Sequence, residues 1–347
     1  MRSFQRPDTL DPVPGTIVAT LRAIDLAAGA EARYADQLPQ LLEALREQAR
    51  IESITASSAI EGVIVAERRV AGLVSANPSR FKNRSEAEFA GYTAAQDYLQ
   101  HDDPGPLSVG LILHLHRLLF SFVDGGGGRF KLDDNLVVER NTDGTKTVRF
   151  EPVPALQTEN YIVELVDRTN TALDEGRIHP LLVVAAFALD VLCIHPFADG
   201  NGRVTRLLTA HLMQRVGYGV GRYVSVEQLI FDTKDDYYVT LAASTTDWFD
   251  DGTHSVWPWA GYFLDRIAEA YERFAARVAA GTSTGTKQDR IRDYVLLHAP
   301  AQFAIADIRR AVPGVSDNTI RLVLTELKTA GRVTVDGTGR GATWSRT

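Results

Sequence analysis

The sequence is almost without cysteine. Its one thiol, Cys193, cannot close an internal disulfide, and there is no cysteine cluster to cage zinc. A reducing compartment, the cytoplasm, is the expected location. No long apolar run is present either. The longest, Leu181 to Leu189, ends when Asp190 interrupts it, too short to span a bilayer. Met1 to Pro14 carries three prolines and no apolar stretch, so no secretory signal is expected there. Basic charge is not in excess: 37 Lys and Arg face 44 Asp and Glu, a formal net charge of −7. That excludes a chain coating nucleic acid along its whole length. Secreted disulfide scaffolds, membrane spanners, collagen-like chains and histone-like proteins are thereby set aside. What remains is a chain of 347 residues, 45% apolar and 23% charged, ordinary for a folded soluble protein of about two domains.

Helical periodicity dominates the first 280 residues. Leu38 to Arg50 reads as an amphipathic helix with Leu41, Leu42, Leu45 and Ala49 along one stripe, followed by a polar interval from Glu52 to Ser58. Glu86 to Leu99, Leu107 to Phe120 and Glu159 to Leu173 read as helices. Pro180 suits the first position of a buried helix over Leu181 to Cys193, and a last long helix starts near Trp257. One region breaks the period. After Gly125 to Gly128, two β-prone runs, Leu136-Val137-Val138 and Thr147-Val148-Arg149-Phe150, flank Asn141-Thr142-Asp143-Gly144 and read as a hairpin. A lone hairpin on a helical body serves as a docking surface or as a plain connection.

Ala279 to Thr286 is Gly/Ser/Thr-rich and reads as a linker; its spacing does not meet the phosphate-loop pattern. Beyond it, helices are expected at Gln288 to His298, Ile305 to Ala311 and Asp317 to Ala330, then strands at Arg332 to Val335 and Ala342 to Ser345. That order is a winged helix-turn-helix. From Lys287 onward ten basic residues face six acidic ones, so the tail is +4 and the body −11. The tail either contacts DNA or serves as a dimerisation or docking module.

One segment of the body carries chemistry: His195-Pro196-Phe197-Ala198-Asp199-Gly200-Asn201-Gly202-Arg203-Val204-Thr205-Arg206. It reads as a short loop between the buried helix and a second helix opening at Asn201. Gly200 and Gly202 let a ligand approach the main chain, and the free N–H groups of the helix start attract an anion. Arg203 and Arg206, three apart, can reach one anion together. Asp199 beside those donors makes sense if a divalent cation bridges it to a phosphate. His195 can take a proton near neutral pH. A phosphate cradle, a guanidinium clamp, a metal ligand and a base are the parts of phosphoryl or nucleotidyl transfer.

This segment resembles the Fic family motif, HxFx(D/E)GNGRxxR, at every position. The wider likeness covers about residues 30 to 275. Tyr237-Tyr238 resembles the family's aromatic segment near the adenine, His116 a histidine of an earlier helix, and Leu136 to Phe150 the flap that holds a target segment by strand addition. Ser57-Ser58-Ala59-Ile60-Glu61-Gly62 resembles the family's inhibitory motif, (S/T)xxxE(G/N). The resemblance implies a mainly α fold: a Fic-type helical core with a β-hairpin flap, plus the small C-terminal domain. The expected division is 1–105, with the inhibitory motif at 57–62; a core at 106–280; a linker at 281–286; and the tail at 287–347.

It also implies transfer of AMP from ATP to a Ser, Thr or Tyr hydroxyl of a target protein. His195 is then the base, and Asp199 the ligand of Mg²⁺. Gly200, Asn201, Gly202 and Arg203 hold phosphates, Arg206 holds the γ-phosphate, and Tyr237 or Tyr238 lies near the adenine. Leu136, Val137, Val138, Thr147 and Val148 dock the target. Phe197 and Cys193 are expected to be core. Glu61 blocks the γ-phosphate site by pairing with Arg206. Removal of AMP, transfer of another phosphate-linked group, and a nucleotide-sensing DNA-binding regulator remain open readings, as does a homodimer.

Overall fold

The computed structural model describes residues 3, 10, 12–34, 39–75, 80–101, 104–140, 146–249, 253–282, 286–299, 302–337 and 342–346. Helices make up most of it. In chain order they are α1 (Gly15–Tyr34), α2 (Pro39–Ile60), α3 (Glu67–Ser75), α4 (Arg84–His101) and α5 (Val109–Leu119). The hairpin β1 (Val137–Arg140) and β2 (Lys146–Phe150) comes next. Then follow α6 (Ala155–Glu175), α7 (Pro180–Ile194), α8 (Asn201–Arg215), α9 (Val226–Asp232), α10 (Lys234–Thr245) and α11 (Trp257–Thr282).

The central element is α7. It is apolar on every side, so no face of it can be left to water. Neighbours α6, α8, α10 and α11 cover it. Asp190 interrupts its apolar sequence and lies fully buried, where the Trp248 indole N–H (2.7 Å) and the Ser3 hydroxyl (2.6 Å) donate to it. Cys193 and Phe197 are core, as expected.

The polar interval Glu52 to Ser58 is not a break. Helix α2 runs through it to Ile60, with Ser53, Ser57 and Ser58 buried. Small side chains let this stretch pack closely, and the hydroxyls of Ser53 and Ser57 accept hydrogen bonds from Gln96 (3.1 Å) and Arg206 (2.8 Å). Helices α1, α3, α9 and α10 were not foreseen. Nor does the linker begin at residue 279: α11 continues to Thr282 and Ala280 is buried, while residues 283–285 lie outside the described ones.

The hairpin is antiparallel, pairing Val138 with Val148 and Glu139 with Thr147, with an irregularity after Val137. Its turn, 141–145, lies outside the described residues. Phe150 anchors its base against Trp248 and Phe249.

The C-terminal module has its own apolar cluster, including Ile291, Phe303, Ile308, Val323 and Trp344. Its elements are α12 (Lys287–Asp293), a π-helical turn (Tyr294–His298), β3 (Gln302–Phe303), α13 (Ile305–Ala311), α14 (Asp317–Thr329), β4 (Val333–Asp336) and β5 (Thr343–Arg346). The sheet runs in the order β3-β5-β4, antiparallel throughout. Strand β3 was unforeseen, and the wing turn 338–341 lies outside the described residues. Arg292 pairs with Asp289 and Glu326, Arg309 with Asp317, and Arg310 with Asp307. Three of the module's ten basic side chains are thus paired within it. No described helix is long and apolar enough to cross a membrane.

Gly91 lies inside α4, yet it is buried against the end of α5. A Cβ at this position would collide with the Leu119 carbonyl. Replacing glycine by alanine in a helix interior gains up to about 1 kcal/mol of propensity. Collision with a rigid backbone costs about 1–3 kcal/mol. Gly91→Ala is therefore expected to destabilise the fold, measured as a lower urea midpoint at unchanged m-value.

Candidate active site

The loop between α7 and α8 is fixed from both ends. His195 closes α7 in a left-handed conformation, φ 50°, which strains a non-glycine residue. Its Nδ1 lies 3.2 Å from the Leu192 carbonyl. A carbonyl only accepts, so Nδ1 carries the proton and Nε2 keeps its lone pair. Burial pushes the imidazole pKa down to about 4, so the ring is neutral at physiological pH.

Asn201 closes the loop. Its side-chain oxygen accepts from Phe197 N (2.9 Å) and its amide donates to Phe197 O (2.8 Å). The side chain thus clasps main chain at both ends, and the residue is buried in the first turn of α8. Phe197 stacks on His116 at 3.8 Å between ring centroids. The Gly128 N–H donates to His116 Nδ1 (2.8 Å), so Nε2 carries the proton and faces the Asp199 carbonyl at 3.2 Å. Burial lowers the His116 pKa to about 4 as well. Lys131 braces the other side. Its N–H donates to Pro196 O (2.9 Å) and its ammonium to Ile194 O (3.2 Å), and burial lowers its pKa to about 8.

Gly200 and Gly202 answer to close contacts. Gly200 has φ 82°, and a Cβ there would press on Phe120 and Leu119. At Gly202 a Cβ would collide with the Glu61 carboxylate. The carboxylate of α2 thus lies directly over the first turn of α8, where the free N–H groups attract an anion. Helix α2 ends in the turn Ser58–Val63, with Gly62 at φ 76°. Ser57 and Glu61, four apart, both reach Arg206. Arg206 Nε donates to Ser57 Oγ (2.8 Å), and Nη2 to Ser57 O (2.9 Å) and to Glu61 Oε1 (2.9 Å). Burial opposes the charge of Arg206, but Glu61 beside it holds its pKa above the ordinary value. Lys234 fixes the same corner by donating to Ile60 O (2.9 Å).

Arg203 is buried beneath the loop and paired with Glu88 of α4. Asp199 stands at the mouth, half exposed, with its Oδ1 accepting from Gly200 N at 2.6 Å. Among the described residues no three His, Cys, Asp or Glu side chains gather as a metal cage. A single exposed carboxylate beside a phosphate cradle nevertheless fits Mg²⁺, which binds through one or two carboxylates plus phosphate oxygens and water.

Of the two tyrosines, Tyr237 is 4% exposed and packs among Trp259, Tyr262 and Tyr238 behind Arg206. Tyr238 is half-buried and lies within electrostatic reach of Glu61, Arg206 and Arg149 of the flap; burial pushes its pKa up to about 12. Tyr238 is therefore the less enclosed of the two. In the flap, Leu136 and Val148 are exposed. The side chains of Val138 and Thr147 lie outside the described ones. Sequence reading did not foresee Glu88, Arg84, Lys131 or Lys234.

His116 and His195 both titrate far below the ordinary value of about 6.5. As pH falls through 6.5 the unfolded chain takes up these protons first. The stability the neutral rings contribute is complete above that point and is lost as pH falls toward 4. Unfolding free energy from urea titrations is expected to decline over that window, less steeply in His116→Asn; an equal slope in both proteins would contradict the assignment.

The family model described as Fic/DOC family matches residues 106–213. The chain is 27% identical over 180 residues, 52% of its length, to the protein adenylyltransferase and cysteine protease IbpA of Histophilus somni (strain 2336), of which it covers 4%. It is 29% identical over 168 residues, 46% of its length, to protein adenylyltransferase fic-1 of Caenorhabditis elegans, of which it covers 29%. The chain thus spans less than a third of these relatives. The crystal structure of a Fic family protein from Desulfovibrio desulfuricans G20 superposes with a TM-score of 0.63 at 22% identity, covering 96% of this chain and 97% of that one. At that identity the likeness speaks for the fold, which embraces both the loop 195–200 and the helices around it. The central segment, residues 106–213, is thus similar to the Fic/DOC family, and the fold around it is shared with a Fic family protein.

Proposed function

We propose that the chain is a protein adenylyltransferase held back by its own Glu61. In the reaction a target hydroxyl oxygen bonds to the α-phosphorus of ATP. The bond from that phosphorus to the α,β-bridging oxygen breaks, and pyrophosphate leaves. His195 Nε2 takes the hydroxyl proton, already poised as a neutral base. The first turn of α8, with Gly200 and Gly202, holds phosphate oxygens on main-chain donors, and Arg206 holds the γ-phosphate. Asp199 would hold Mg²⁺, which would neutralise charge on the phosphates. Tyr238 borders the adenine. Among the described residues, strands β1 and β2 form a two-stranded sheet of their own, a shape suited to adding an extended target segment. The same reading divides the chain into an inhibitory N-terminal region to residue 105, a catalytic core at 106–280 and a winged helix-turn-helix module at 287–347.

The observation that carries the proposal is the Glu61 carboxylate, bonded to Arg206 at 2.9 Å and lying over Gly202. It takes the guanidinium and part of the anion cradle that a γ-phosphate needs. ATP bound against it would have its α-phosphorus displaced from His195, and a shift of about 1 Å costs on the order of a hundredfold in rate.

Glu61→Gly is therefore expected to raise transfer of label from α-labelled ATP, to itself and to lysate proteins, by on the order of a hundredfold. His195→Ala in that background should abolish it, and intact mass should show a gain of one AMP per site. Equal labelling by Glu61→Gly and the parent would remove the autoinhibition. Loss of AMP from a modified protein, rather than gain, would replace transfer by its reverse chemistry.

A further inference from the structure

Arg84 opens α4, far from the motif in sequence, yet it reaches the motif's carboxylate. Its Nη2 lies 3.1 Å from Asp199 Oδ2, while its Nε bonds Glu88 Oε1. Glu88 turns its other oxygen to Arg203 Nη1, and Arg203 Nη2 lies 3.4 Å from Asp199 Oδ1. Two arginines and two carboxylates thus alternate around a ring, and each oxygen of Asp199 faces a guanidinium.

The two halves of this ring differ in environment. Arg203 and Glu88 are 2% and 6% exposed, so separating them would strand buried charge. Arg84 and Asp199 are 64% and 54% exposed, and an ion pair so open to water is weakly held. One half of the ring is therefore fixed and the other exchangeable. The exchangeable partner occupies Oδ2, the Asp199 oxygen that does not accept from Gly200 N. Oxygens of this kind are what a divalent cation takes.

We propose that Arg84 and a divalent cation compete for Asp199. Arg84 neutralises the carboxylate and holds it at the mouth of the cap, and the cation displaces it. Arg203, locked on Glu88, stays in place throughout. Arg84 is thus a positioning residue that sets how tightly the metal is held. This inference rests on the reading of Asp199 as the metal ligand, and the experiment separates the two.

Mn²⁺ can stand in for Mg²⁺, its free concentration read from the six-line EPR signal. Full-length protein in the Glu61→Gly background, saturated with α,β-methylene-ATP, would be titrated with Mn²⁺. Replacing an exposed ion-pair partner corresponds to about two- to fivefold in an equilibrium constant. Arg84→Ala is expected to tighten Mn²⁺ by that factor, with an unchanged melting temperature showing the fold intact. Asp199→Asn alone should weaken Mn²⁺, and adding Arg84→Ala to it should then change nothing. Unchanged or weaker Mn²⁺ binding in Arg84→Ala would overturn the proposal. So would a gain that persists with Asn at 199, which would mark a general effect of lost positive charge. If Asp199→Asn alone leaves Mn²⁺ binding as it was, the metal reading itself fails, and this inference with it.

Discussion

Everything at the mouth of this site follows from one buried guanidinium. Arg206 lies inside the first turns of α8, where water cannot solvate its charge. A buried charge persists only if it is paired and hydrogen-bonded. Ser57 supplies a hydroxyl and a carbonyl, but neither carries charge. The full counter-charge comes from Glu61. An anion is thus demanded at this spot in every state of the molecule. Whichever anion is there, Glu61 or a phosphate, excludes the other. In the proposed function, inhibition by Glu61 and recognition of a terminal phosphate would be one requirement seen from two sides.

The rest of the loop holds His195 independently of this ion pair. His195 holds a left-handed backbone conformation that costs about 1–3 kcal/mol and survives only where neighbours over-determine it. Here they do. Leu192 holds the ring, Lys131 holds the main chain on either side, Asn201 clasps Phe197, and His116 stacks on Phe197 while touching Asp199. None of these contacts involves Glu61 or Arg206. His195 and the Glu61–Arg206 pair belong to separate hydrogen-bond networks on one helix junction.

That division explains what could be read in the sequence. His195 to Arg206 was legible because loop, cap and clamp fall within one short stretch, and Glu61 because Ser57 and Gly62 share its pattern. Arg84 and Glu88 were not. Their partners lie 115 residues away, and on α4 itself they look like an ordinary i,i+4 surface pair. Lys234 meets Ile60 across 174 residues and left no trace either. The clasp of Asn201 on Phe197 was not legible because the residue type suits a phosphate donor and a loop clasp equally, and only the position of Phe197 reveals it. The polar interval in α2 looked like a break because burial of serine depends on partners that periodicity does not reveal. Helix α7, apolar all round, was legible for the opposite reason: its environment is dictated by composition alone.

The two carboxylates of the site show a symmetry of charge. Glu61 is neutralised by Arg206, and Asp199 by Arg84 and Arg203. A free nucleotide could offer Arg206 an anion, but it would bring negative charge to Asp199. A free cation could relieve Asp199, but it would meet Arg206 and the positive end of α8. A cation already chelated by a polyphosphate carries both replacements at once, a positive charge for Asp199 and a negative one for Arg206. In the proposed function, internal pairing of this kind would make each half-ligand a poor competitor and the chelate a good one. The selectivity would arise from what each ion pair must be given before it opens.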